Sequence, residues 1–260
     1  MPGTSSALRV VRSALEGLVD LALPAACAGC GSGVGLLCPG CAPVFDGPAR
    51  AAWPVPPPAG LPPPWAVADY AGPVRAAVVA HKEHGRLGLV RPLGKALATA
   101  ALAAQEHAGV PGPLVLVPAP SRPAAVRARG HDHAVRLARR AAAVLRSQGV
   151  DAAVLAVLRV RGGVVDQAGL SAAERAANLA GAMRVPDHLT HLVTGRRLVL
   201  VDDVVTSGAT LAEAARALRA AGAAQVTGAA LVAATVRRHR SGTGGRDAAA
   251  GRLLPGRGGG

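Results

Sequence analysis

The sequence predicts an α/β protein, a parallel sheet flanked by helices with a small N-terminal module built on four cysteines. Three observations carry this. Apolar runs of strand length alternate with segments of helical spacing from residue 66 to about 236, the pattern of parallel strands joined by helical crossovers. Leu198-Val199-Leu200-Val201 is apolar without alternation, as a strand covered on both faces must be. All four cysteines fall within 15 residues, from Cys27 to Cys41.

The chain has 260 residues, enough for one large domain with an appendage, since domains run to ~100–200 residues. Half of the residues are hydrophobic, which allows a real core and excludes global disorder. The uncharged stretch Ala220–Val236 is mostly Ala and Gly. A membrane helix needs ~20 strongly apolar residues, so no membrane span is expected.

The elements follow in order. Residues 7–23 resemble a signal peptide, but Glu16 and Asp20 interrupt its apolar run. Leu8, Val11, Leu15, Leu18 and Ala22 follow helical spacing, which predicts an amphipathic helix and a cytoplasmic protein with reduced thiols. Cys27-Ala28-Gly29-Cys30 and Cys38-Pro39-Gly40-Cys41 are two C-x-x-C turns seven residues apart. Four thiolates so spaced can close a tetrahedron around Zn²⁺, a structural site with no open position. Two disulfides, disfavoured in a reducing compartment, or four idle thiols are the alternatives. Eight of the nineteen residues from Asp46 to Pro64 are proline, which reads as a stiff connector between this module and the body. The organisation expected is thus module 1–45, linker 46–64, body 65–236 and a disordered basic tail 237–260.

Within the body, residues 66–70 read as a strand, 73–81 and 89–106 as helices, and Leu114–Val117 as a buried strand. A helix is expected over 131–147, a strand over 153–160 and a strand over 198–201. Ser171 with Glu174 three residues on forms a capping box that opens a short helix to Leu179. The last helix is expected over 210–221, before a strand beginning at Gln225.

Net charge is +14. Lys82 and Lys95 are the only lysines, and Ala, Gly, Arg and Pro abound, so part of the arginine excess reads as codon bias. The tail 237–260 carries six arginines against Asp247; removing that +5 from +14 leaves +9 on the rest. A basic body points to anionic partners, phosphate ligands or nucleic acid.

The most informative segment follows Leu198–Val201. Asp202-Asp203-Val204-Val205-Thr206-Ser207-Gly208-Ala209-Thr210 places two acids, three hydroxyls and one glycine between a strand and a helix. Ligands of open α/β sheets bind at the carboxyl ends of strands. The backbone N–H groups of a helix start cradle phosphate, and Gly208 lets the backbone approach. Adjacent carboxylates beside a phosphate cradle suit ribose hydroxyls or a bound cation. The bland alternative is that Asp202 and Asp203 merely end a strand and cap a helix.

This pattern resembles the 5-phosphoribosyl-1-pyrophosphate (PRPP) motif of type I phosphoribosyltransferases. Val117-Pro118-Ala119-Pro120-Ser121-Arg122, the segment Arg127 to Ala134, the spaced set Gln167, Leu170, Arg175, Asn178 and Leu179, and residues 21–41 together resemble the ComF family. These are competence-associated proteins with an N-terminal zinc finger and a type I phosphoribosyltransferase-like domain, and the resemblance covers about residues 18–236. The family usually has Arg-Gly-Phe-Asn-Gln where this chain has Arg129-Gly130-His131-Asp132-His133.

The resemblance implies a glycosyltransferase chemistry in which Mg²⁺-bound pyrophosphate leaves C1 of ribose as a nitrogen nucleophile attacks. It implies that Asp202 and Asp203 hold the ribose, directly or through Mg²⁺, and that Val204, Val205, Thr206, Ser207, Gly208, Ala209 and Thr210 hold the 5′-phosphate. Ser121 and Arg122 would meet the pyrophosphate, with Lys82, Arg127 and Arg129 as further anion contacts or solvated surface charge. His131 and His133 read as helix-start surface residues ahead of metal ligands or acid/base groups, and His81 and His84 as helix-end residues. Gln167, Arg175 and Asn178 close over the ligand or simply cap and pair.

Three functions remain open on the sequence. One is a phosphoribosyltransferase or PRPP-binding protein. Another is a single-stranded-DNA-binding accessory protein of DNA uptake, favoured by charge but with few aromatics for base stacking. The third is an adaptor whose helix 7–23 and cysteine module dock a helicase of the uptake machinery.

Overall fold

The structure, a computed structural model, describes residues 26–109, 111–161 and 181–235. The helix read over 7–23, the capping box at Ser171 and the tail 237–260 lie outside these residues. The body is built on a six-stranded sheet of order β1-β2-β8-β7-β3-β4. Its strands are β1 (Arg50–Ala51), β2 (Pro64–Asp69), β3 (Leu114–Pro118), β4 (Ala152–Val154), β7 (Arg197–Val205) and β8 (Gln225–Ala234). All neighbouring pairs are parallel except β1 with β2. A separate antiparallel pair joins β5 (Arg159–Val160) to β6 (Met183–Arg184). Helices α1 (Gly72–Glu83), α2 (Val90–His107), α3 (Pro123–Arg129), α4 (His133–Ser147) and α5 (Ala209–Ala220) connect them.

Successive strand residues point to opposite faces, and the core divides accordingly. Val199 and Val201 join Leu114, Leu116, Ala230 and Val232 in one cluster with Leu93, Leu97 and Leu137 of α2 and α4. Leu198 and Leu200 join Val115, Val117 and Leu231 in the other, with Leu211 and Leu218 of α5. The unbroken apolar run of β7 thus feeds two cores. From β3 the chain passes through α3 and α4 to β4 on one side, and from β7 through α5 to β8 on the other. The order reverses between β3 and β7, which opens a crevice at their carboxyl ends.

Several elements depart from their sequence reading. The strand expected over 198–201 runs to Val205, because its pairing with β8 continues to Val205 opposite Ala234. The helix expected over 131–147 starts at His133, with Asp132 as N-cap accepting from the N–H groups of Ala134 and Val135 at 3.1 and 3.2 Å. Before it lies the unanticipated α3, opened by Pro123 in the first turn and closed by Gly130 at φ 75°. The strand expected over 153–160 is broken into β4 and β5, since Val157 and Leu158 turn into the core beside α5.

The proline-rich segment 46–64 does not hold the cysteine module away from the body. Ala52 N–H donates to Pro64 O at 2.8 Å, and Leu61 is buried. Phe45, at the end of the 3₁₀ turn Ala42–Phe45, is 1% exposed within the α2 core cluster. Arg86 Nη1 donates to Ala26 O at 2.7 Å, and Lys95 pairs with Asp46 at 2.9 Å. Prolines set φ but do not prevent packing, and here they form a strap. Among the described residues the stretch Leu87–His107 is long and apolar enough to cross a membrane, yet half of it is buried inside the fold.

Gly228 of β8 lets α2 lie close to the sheet, since a Cβ there would meet Ala104 Cβ at 2.8 Å and Pro63 O at 3.3 Å. Gly228→Ala is expected to lower stability by about 1–3 kcal/mol through overpacking. The shift in urea midpoint measures it.

Candidate functional site

The crevice between β3 and β7 holds a cavity of about 540 Å³. Asp202, Asp203, Val204, Thr206 and Thr210 line it from the β7–α5 side. Ser121, Arg122 and Arg129 enter from the β3–α3 loop and α3, Lys82 from α1. Among the predicted residues, Val205, Ser207, Gly208 and Ala209 are not in its wall. Val205 is buried in the core beside α5. Gly208 sits at φ 77° as the N-cap of α5. A Cβ there would meet Leu61 at 2.9 Å, Pro54 at 3.1 Å and Pro58 at 3.2 Å, so the strap backs the loop. Arg127 lines a neighbouring cavity of about 410 Å³ beyond Ser121. Gln167, Arg175 and Asn178 lie outside the described residues.

The acids lie within the C-terminal end of β7 rather than in the loop after it. Asp203 is 5% exposed. Lys82 Nζ donates to its Oδ2 at 3.0 Å, and His133 Nε2 lies 3.4 Å from the same oxygen. Val204 N–H donates to Asp203 Oδ1 at 2.9 Å, and Asp203 N–H to Asp202 Oδ1 at 2.8 Å. Burial alone would raise the Asp203 carboxyl, but the His133 hydrogen bond and the Lys82 charge outweigh it and hold it well below the usual range. Asp202 is pushed the other way, up to about 8, by burial and then by the charge on Asp203. Lys82 is raised: burial disfavours its charge, but Asp203 and Asp202 more than compensate.

Arg129 reaches back to Glu83 at 3.3 Å, so one of the predicted anion contacts is already paired across the cavity rim. Ser121 Oγ donates to Asp132 Oδ1 at 3.0 Å. His81 is 2% exposed, and neither of its ring nitrogens has a partner among the described residues. It is pushed down to about 4 by burial and by the neighbouring His133 and His131, which keeps it neutral.

The arrangement provides one ionised carboxylate, one protonated acid, hydroxyls and a helix start around a single cavity, the donor and acceptor set of a ribose phosphate. The sequence profile of the phosphoribosyl transferase domain matches residues 131–250. A curated relative, DNA utilization protein YhgH of Escherichia coli strain K12, is 35% identical over 169 residues, which span 64% of this chain and 71% of the relative. The chain belongs to the ComF family of phosphoribosyltransferase-type proteins.

The second ComF feature, the cysteine cluster, is also assembled. The four sulfurs lie within 4.8 Å of one another, a set that can hold a metal ion. All four cysteines are free of disulfides. Cys27 Sγ accepts from Gly29 N–H at 3.3 Å and Cys38 N–H at 3.2 Å. Backbone donors, Cys38 foremost and then Cys30, lower its pKa to about 6. Gly29 is required here, because a Cβ would meet Cys41 Sγ at 2.8 Å.

Reading the sequence did not single out His133 over a surface residue, nor Tyr70 and Glu83, which also line the cavity. The available signal was the departure from the family pattern at residues 131–133.

Asp202 holds a proton in the folded state that the unfolded chain releases above about pH 4. The folded form therefore loses relative stability as pH rises from about 4 to about 8. Asp202→Asn is expected to flatten this slope. Urea midpoints taken between about pH 5 and about pH 8 would compare the two proteins; equal slopes contradict the assignment.

Proposed function

We propose that the cavity binds PRPP or a related ribose phosphate together with Mg²⁺. The carrying observation is that the Asp202–Asp203 pair, the Thr206–Thr210 loop and the Ser121–Arg122 loop share one cavity. Asp203, ionised and acceptor-only, suits ribose hydroxyls. Thr206 and Thr210 at the start of α5 suit the 5′-phosphate, and Ser121 and Arg122 the pyrophosphate. The donor set of two adjacent carboxylates fits a hard divalent cation. Asp203 would hold Mg²⁺, with Asp202 joining it once the cation displaces its proton, and the cation would neutralise charge on the leaving pyrophosphate. The chain's own part in transfer is to position ribose and leaving group and to exclude water from the crevice.

In this reading the protein acts in the cytoplasm, where unpaired thiols persist, and serves DNA uptake, as the relative named for DNA utilization suggests. The cysteine cluster is assigned to structural Zn²⁺. Cys30 and Cys38 sulfurs stand 3.7 Å apart, close to the ~3.8 Å that a tetrahedron of ~2.3 Å zinc–sulfur bonds requires. A second reading, single-stranded DNA binding or docking of an uptake helicase without turnover, is favoured by the net charge of +14.

Calorimetric titration of PRPP with Mg²⁺ tests the first reading. Saturable binding is expected for the wild type and none for the Asp202→Asn/Asp203→Asn double variant. Pyrophosphate release over a panel of nucleobases then tests transfer. Absence of binding in both proteins, with salt-steep DNA binding that survives Asp203→Asn, would establish the second reading instead.

Metal analysis is expected to find one zinc per chain. Chelation or Cys38→Ser should lower the melting temperature, by about 2–4 °C for each ~1 kcal/mol lost in a chain of this size. An unchanged melting temperature would refute a structural role.

A further inference from the structure

We infer that His133 is a positioning residue: its Nε2–H holds the Asp203 carboxylate in the orientation that receives a ribose phosphate. The inference rests on the ribose-phosphate reading above and deepens it.

The geometry is specific. His133 is the first residue of α4, and it is 6% exposed. Its Nε2 lies 3.4 Å from Asp203 Oδ2, and its Nδ1 lies 3.5 Å from Ser121 Oγ. An ionised carboxylate can only accept, so Nε2 carries the proton on that side. The ring therefore stands between the end of β7 and the loop after β3, in contact with both. Helix energetics give no reason for histidine at this place, since a cationic group is unfavourable at a helix N-terminus. Asp132 already supplies the N-cap. What the ring satisfies is Asp203, which would otherwise share one oxygen with Lys82 alone.

Lys82 brings charge to Asp203, but from a flexible stem. The imidazole is fixed by burial and adds direction. A carboxylate that accepts from two donors on different elements, α1 and α4, has little freedom to rotate. That is the condition for a hydrogen bond to ligand hydroxyls at low reorganisation cost.

The test uses two isosteric halves of the imidazole. A Gln side-chain nitrogen falls where Nε2 lies, and an Asn side-chain nitrogen where Nδ1 lies. PRPP with Mg²⁺ is titrated into wild type, His133→Gln and His133→Asn, with melting temperatures recorded for each. His133→Gln is expected to bind within about threefold of wild type, and His133→Asn about tenfold or more weaker, at similar melting temperatures. Equal affinities of the two variants would overturn the inference. In parallel, ¹⁵N imidazole NMR of the ligand-free protein should show His133 protonated at Nε2, with a resonance that moves on Asp203→Asn. A resonance unmoved by that substitution also overturns it. If the wild type does not bind PRPP, the ribose-phosphate reading fails, while the NMR arm still decides whether His133 holds Asp203.

Discussion

Two carboxylates on consecutive residues of one strand end, inside a cavity, are the constraint around which the site is arranged. Both cannot stay ionised there without compensation, because burial and mutual repulsion act in the same direction. The structure resolves this asymmetrically. Asp203 receives Lys82, His133 and the Val204 N–H and stays ionised. Asp202 receives the Asp203 N–H and keeps its proton to about pH 8. The pair therefore presents one acceptor and one acid near neutrality, two different functions from two identical side chains.

The side-chain partners of Asp203 come from distant parts of the chain, and the rest of the fold serves to place them. Lys82 rides on α1, whose first turn lies against the cysteine module: a Cβ on Gly29 would reach Pro73 at 3.1 Å. The same module packs on α2 through Phe45 and on Gly88 through Leu36. The strap then passes behind Gly208, and Arg219 of α5 fastens it by donating to Gly60 O at 2.9 Å. The N-terminal module thus braces α1 and the strap braces the β7–α5 loop, so a metal held by the four cysteines would act on the cavity through packing alone.

The α/β class was legible because β3, β7 and β8 are long apolar runs with helices between them, and the acid–hydroxyl–glycine segment was legible because its chemistry is local. What sequence hid was non-local. The extension of β7 to Val205 depends on ladder partners in β8, which no window around Asp202 contains. The strap looked like a spacer because proline content sets stiffness and leaves burial unspecified; only Leu61 within it hinted at a core contact. Helix α3 carries no sequence signal of its own, because seven residues from Pro123 to Arg129 are too few for a helical period to show. The departure from the family pattern marks His133 without giving it a role, since its partner lies 70 positions away.

On the proposed reading, Lys82 has two anions within reach at different times. In the structure it neutralises Asp203 at 3.0 Å, yet about a third of its side chain remains exposed to the cavity. A phosphate entering the cavity offers that ammonium a second partner. The exchange takes the cation away from a buried carboxylate. Asp203 is not abandoned in the exchange if His133 stays in place. A mobile cation and a fixed imidazole on one carboxylate oxygen are complementary: the first can follow the ligand's charge, and the second keeps the acceptor where the ribose needs it.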